Sequence, residues 1–133
     1  MSKVSKLALV MAALRARERA VAPYSIFKVG AALLTPEGDI ITGANVESAS
    51  YGLTCCAERV ALFKALTEGH KQFVAVSVVA RMKPVPMPCG ACRQLLAEYA
   101  PKAFVWAADS CSPRQIREFT VAELLPAAFL DVP

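Results

Sequence analysis

Histidine is nearly missing from this chain of 133 residues, with His70 the single example. That removes Ser-His and Cys-His nucleophilic catalysis, each of which needs an imidazole base beside its nucleophile. His70 follows Gly69 at the end of a helical stretch, where an imidazole meets the last carbonyls sooner than a metal. No apolar run is long enough to span a bilayer. The run Leu7 to Leu14 follows Lys3 and Lys6 and so mimics a signal peptide, but Arg15, Arg17, Glu18 and Arg19 stand where a small-residue cleavage site belongs. The net charge is only +4, and the basic residues are scattered without interleaved aromatics, so no nucleic-acid surface is indicated. Phosphate-cradling glycine loops, internal repeats, low-complexity tracts and linkers are also lacking. The cysteine count is five, an odd number that does not suit a disulfide framework and fits a reducing compartment, the cytoplasm.

What is abundant is apolar surface. Hydrophobic residues make up 56% of the chain, which is more than a monomer of this length needs, so residues 1–133 are expected to form one domain with oligomer interfaces taking up the excess. Leu7, Val10, Met11 and Leu14 follow helical spacing and predict an amphipathic first helix ending before Pro23. Val29 to Leu34 and Asp39 to Thr42 flank the turn signal Pro36-Glu37-Gly38 and predict a hairpin. Ala57 to Glu68 reads as a helix apolar nearly all round, buried on several sides and ended by Gly69. Phe73 to Ala80 and Ala103 to Ala107 lack alternation, as strands buried on both faces do, and the helical stretch between them predicts a parallel pair and an α/β fold. Only Ala108 to Pro113 separates the second of these from a plausible edge strand, Arg114 to Phe119. So short a connector cannot hold a crossover helix, and this last pair should be antiparallel. Thr120 and Glu123 have capping-box spacing for a short final helix.

The chemistry concentrates in Cys55-Cys56-Ala57-Glu58-Arg59 and, about thirty residues on, Pro88-Cys89-Gly90-Ala91-Cys92. Cys89 and Cys92 are spaced i, i+3 and share one side of a helix started near Pro88. Cys56 in the first turn of another helix lies where free N–H groups and the dipole lower a thiol pKa. Three thiolates fit catalytic zinc, which keeps its fourth position for water, whereas structural zinc usually takes four protein ligands. Glu58 lies two residues past Cys56, off its helix face, and suits a proton shuttle better than a ligand. Arg59, at i+3 from Cys56, is placed to donate to the ligand sulfurs and offset their charge; the plain alternative is a surface arginine. Cys55 as a fourth ligand would make the site structural, and its alternative is a small packed residue.

These stretches resemble the zinc-dependent nucleoside deaminases, and within them the small three-cysteine cytidine deaminase family. The resemblance is carried by Ala22-Pro23-Tyr24-Ser25-x-Phe27-x-Val29-Gly30-Ala31-Ala32-Leu33-Leu34, Gly43-x-Asn45-Val46-Glu47, Cys56-Ala57-Glu58-Arg59, Pro88-Cys89-Gly90-Ala91-Cys92-Arg93-Gln94 and Leu124-Leu125-Pro126-x-x-Phe129. It implies a three-layer αβα sandwich with a mixed five-stranded sheet, one Zn2+ per subunit on Cys56, Cys89 and Cys92, and Glu58 as the catalytic proton shuttle. It also implies hydrolysis of cytidine and deoxycytidine to the uracil nucleosides and ammonia, with Glu58 protonating N3 and then the departing amino group. Asn45 and Glu47 would hold the sugar hydroxyls and Phe27 would pack on the pyrimidine, with Ala57, Tyr51 and Phe129 as further substrate contacts. A homotetramer is implied, in which Phe129 completes a neighbour's site and Tyr51 sits at the subunit boundary. Taken alone, Asn45 and Glu47 read as ordinary loop residues, and Phe27 reads equally as core. Relatives acting on nucleic acids insert a helix where this chain has its short connector. The chain departs from the family pattern at Ala44, Ser48, Met87 and Ala127, which leaves substrate preference open. A blasticidin-type deaminase shares the zinc blocks, and a structural zinc module is the alternative from another class.

Overall fold

The computed structural model describes residues 4–132. Its elements are α1 (Lys6–Arg17), β1 (Val29–Leu34), β2 (Ile40–Ala44), α2 (Ala57–Thr67), β3 (Ala75–Ala80), α3 (Gly90–Tyr99), β4 (Phe104–Asp109), β5 (Arg117–Thr120) and α4 (Val121–Leu124), with a 3-10 turn at Tyr51–Leu53. The strands form one five-stranded sheet in the order β2-β1-β3-β4-β5. β3 and β4 are parallel, and the other three pairings are antiparallel. This is the mixed sheet with an antiparallel last pair that the connector length predicts.

Side chains alternate across the strands and feed two cores. Ala31, Leu33, Val76 and Val105 pack with Ala57, Ala61 and Leu62 of α2 and Leu96 and Ala97 of α3 on one face. Ala32, Leu34, Ala75, Val79 and Trp106 pack with Leu9, Val10 and Ala13 of α1 on the other. The three central strands therefore have two apolar faces, which is why their sequences show no alternation.

Two glycines set how closely the helices lie. A Cβ on Gly30 would fall 1.9 Å from the Ala13 carbonyl oxygen of α1, and one on Gly43 would fall 2.5 Å from the Ala61 nitrogen of α2. The helix backbones press directly on β1 and β2 at these points. That contact also decides which side of α1 faces inward. The structure buries Leu9, Val10, Ala12, Ala13 and Ala16, while Leu7, Met11 and Leu14 of the expected stripe are only half-buried. An apolar run from residue 7 to 14 carries little phase information, and the close approach at Gly30 selects the small side chains.

Two further expectations change. α2 is buried along one face only, through Ala57, Glu58, Ala61, Leu62 and Ala65, and Phe63 on its outer side is exposed. Its end is a Schellman closure, with Gly69 at φ 98, its N–H on the Leu66 carbonyl, and the His70 N–H on that of Ala65. His70 thus caps through its backbone. The edge strand starts at Arg117 instead of Arg114, because two successive turns, Ser112 N–H to Asp109 O and Gln115 N–H to Ser112 O, use up the intervening residues. The Thr120/Glu123 capping box forms with both of its bonds.

Gly43→Ala should force α2 off the sheet and cost about 3 kcal/mol or more, the upper end for overpacking. Chemical denaturation of the variant beside the wild type measures it, and an unchanged midpoint would contradict the close approach.

Candidate active site and metal centre

The site is built where α2 and α3 begin on the same face of the sheet. Cys56 is the N-cap residue of α2 and Cys89 that of α3, both in extended conformation, and neither side chain caps a backbone N–H of its helix. Cys92 follows one turn into α3 and is buried. The Cys56 and Cys89 sulfurs lie 3.7 Å apart and those of Cys89 and Cys92 3.6 Å apart, with all three within 4.8 Å of one another. Tetrahedral zinc with Zn–S bonds of about 2.3 Å sets its sulfurs about 3.8 Å apart. The donor set therefore fits one zinc ion. Cys55 is not in the cluster; its N–H and C=O both pair with Val46, which fixes it as part of the backbone scaffold.

Electrostatics favour thiolate here. The hydrogen bond shared with Cys92 and another from Arg59 hold the Cys56 pKa down, to about 5, against the effect of its partial burial. Cys92 is pushed up by that same shared bond and by burial, so the pair gives up one proton readily and a second with difficulty. A dication among the sulfurs removes that difficulty. Arg59 donates from one terminal nitrogen to the Cys56 sulfur at 3.4 Å and to the Thr54 carbonyl at 3.2 Å. Its guanidinium thus lies against the ligand set, as its spacing suggested.

Glu58, only 5% exposed, lies in the first turn of α2, near enough to Cys56 to feel its charge. Burial, reinforced by the Cys56 charge, raises its carboxyl to about 7. A group that must both take and return protons near neutrality needs a pKa in that range. Ala57, completely buried, precedes it in the same helical turn.

A cavity of about 390 Å³ lies beside the site, lined by Tyr24, Ser25, Glu47, Ser48, Tyr51 and Thr54. Thr54 connects it to the thiolates through Arg59. A larger groove of about 800 Å³ lies between the end of α1, β2 and α2, and neither hollow is lined by any of the three cysteines or by Glu58. The smaller cavity is tied to the cluster by the hydrogen bonds of Arg59 to Thr54 and Cys56. The remaining candidate contacts fall in two groups. Tyr51 and Phe129 project from the surface at 84% and 66% exposure, and Phe27 is partly open. Asn45 is buried, its Oδ1 accepting from the Val29 N–H at 2.8 Å and its Nδ2 donating to the Phe27 carbonyl at 2.9 Å. Glu47 accepts from the Tyr24 and Ser25 N–H groups and from the Ser25 hydroxyl, which lower its pKa. Both side chains thus shape the 24–29 backbone, a task their sequence context did not reveal. Ser25 and Thr54 were also missed; Ser25 stands inside the matching block, whereas no local signal marks Thr54.

Comparison with known proteins decides the family. The model of the cytidine and deoxycytidylate deaminase zinc-binding region matches residues 3–108. The chain belongs to the cytidine deaminase family. It is 55% identical over 125 residues to the cytidine deaminase of Halalkalibacterium halodurans, covering 91% of each chain. With that of Sporosarcina psychrophila it shares 46% over 121 residues, or 91% of this chain and 88% of the other. The crystal structure of cytidine deaminase from Burkholderia pseudomallei superposes with a TM-score of 0.86 at 48% identity, over 92% of this chain and 97% of that one.

Cys89→Ala should lower the zinc content from about one per chain toward zero after dialysis against a chelator, with a fall in Tm, because ligand loss couples to folding. Full zinc retention would remove Cys89 from the ligand set.

Proposed function

We infer that this chain is a zinc-dependent hydrolase that converts cytidine and deoxycytidine to the corresponding uracil nucleosides and ammonia. The observation that carries the reading is the buried Glu58 carboxyl beside three sulfurs spaced for one metal ion. Cys56, Cys89 and Cys92 would hold the zinc ion, which would supply Lewis acidity that makes water a nucleophile near neutral pH. Glu58 takes a proton from the attacking water and delivers it to N3 as oxygen adds to C4. Glu58, again a carboxylate, then takes the proton of the new C4 hydroxyl and passes it to the amino group; the C4=O bond forms as the C4–N bond breaks and ammonia leaves. A carboxyl near pKa 7 can do both without a large penalty in either direction. Arg59 limits the negative charge that three thiolates place around the ion. Phe27 packs on the pyrimidine, Glu47 and Asn45 take the sugar side, and Ala57 lies against the base at the helix start.

The working form is a homotetramer in the cytoplasm, with sites shared between subunits. Among the described residues no helix is long and apolar enough to cross a membrane. Support for assembly comes from large apolar side chains left open: Tyr51, Leu53, Phe63, Phe129 and Leu130. Apolar side chains of this size are what subunit interfaces cover. Tyr51 and Phe129 are the contacts offered to neighbours.

Glu58→Gln should keep its zinc and lower kcat on cytidine by roughly 10²–10⁴-fold, the usual share of general acid–base catalysis. Loss of the cytidine ultraviolet band measures it, and a variant with wild-type turnover would exclude Glu58 from proton transfer. Mixing inactive Glu58→Gln chains with weakly active Phe129→Ala chains should restore turnover, since mixed assemblies pair an intact Glu58 with an intact Phe129. An exact sum of the separate rates would argue against shared sites.

A further inference from the structure

The turn that leads into Phe27 carries an unfavourable backbone. Ile26 has φ 62, and the other non-glycine residue with positive φ among those described is Ala127. A β-branched residue rarely adopts this conformation, which costs on the order of 1–3 kcal/mol and persists only where the surroundings over-determine it. Packing does little for Ile26, whose side chain is 77% exposed.

Polar groups hold the turn instead. The Ile26 N–H closes on the Ala22 carbonyl at 3.0 Å. Before Ile26, the N–H groups of Tyr24 and Ser25 donate to Glu47 Oε1 at 3.0 Å, and the Ser25 hydroxyl donates to Glu47 Oε2. After Ile26, the Phe27 N–H donates to that same Ser25 hydroxyl at 3.0 Å. Ser25 therefore spans the left-handed residue, tying the carboxylate on one side to the Phe27 amide on the other. Asn45 fixes the far end through Phe27 and Val29.

We propose that Ser25 is a positioning residue for Phe27: its hydroxyl bridges Glu47 and the Phe27 amide, fixes the turn at Ile26, and so sets how the aromatic ring is presented to the substrate base. The assignment rests on the deaminase reading and on Phe27 as the ring contact. A stacking contact is present in the ground state and in the transition state alike, so its loss raises KM and leaves kcat nearly unchanged. Proton transfer at Glu58 does not involve Ser25.

The test is steady-state cytidine kinetics on the wild type, S25A and S25T, with zinc content and hydrogen exchange of the Phe27 amide measured in parallel. S25A should raise KM about tenfold, as expected for losing a hydrogen bond of ordinary strength. Its kcat should stay within about twofold, its zinc should be retained, and its Phe27 amide should exchange faster. S25T keeps the hydroxyl and should return KM and exchange toward wild type. Unchanged KM in S25A beside an active wild type overturns this assignment alone, as do equal losses in S25A and S25T. A wild type that leaves cytidine unchanged overturns the deaminase reading, and this assignment with it.

Discussion

Three sulfur atoms held within 4.8 Å of one another cannot all be charged without help. At an effective dielectric of about 20, two unit charges 3.7 Å apart repel by roughly 4 kcal/mol. A helix N-terminus returns about 0.3–1 kcal/mol, up to about 2 when partly buried. Two helix starts and one guanidinium do not offset three such repulsions. A dication does, since zinc bound by small thiolate sites contributes on the order of 10–16 kcal/mol. The geometry of α2 and α3 makes sense as that of a zinc site, and the rest of the fold serves to bring those two helix starts together. β3 and β4 run parallel so that α3 crosses back over the face already occupied by α2. The bare backbone at Gly43 lets α2 settle close enough for Cys56 to meet Cys89.

A narrow ribbon joins this centre to the loop that carries Phe27. Val46 pairs with Val21 on one side and with Cys55 on the other, so residues 45–47 lie between the loop that carries Phe27 and the residue before Cys56. Asn45 and Glu47 reach from that ribbon into the loop, and Arg59 reaches from α2 back to Thr54. Displacement of any of these segments would move Phe27 and the sulfur cluster relative to each other. This is how a loop with an unfavourable backbone at Ile26 can still present Phe27 in one orientation.

Much of this was legible in the residues, for reasons that can be stated. The three-cysteine cluster was readable because metal ligands need fixed spacing on helices, and spacing is local. The antiparallel last pair followed from the short connector, since a crossover has a minimum length. The capping box at Thr120 was legible because both its bonds lie within one turn. Other features depend on contacts distant in sequence. Which face of α1 points inward was set by Gly30, some seventeen residues from Ala13. Phe63 reads as core but lies on a face left open by the single chain. The ties from Asn45 and Glu47 to the 24–29 backbone span up to 23 residues and have no local signature. Ala127, where the family pattern has glycine or serine, has φ 53, a conformation that suits glycine and explains neither serine nor the alanine.

Catalysis at this site requires zinc with three protein sulfurs and one position left for water. X-ray absorption at the zinc edge of the loaded protein reads this directly. Three sulfur scatterers at about 2.3 Å with one lighter atom at about 2.0 Å are predicted. Four sulfurs would mean that Cys55 or another thiol closes the site, making it a structural module and leaving Glu58 without a reaction to serve.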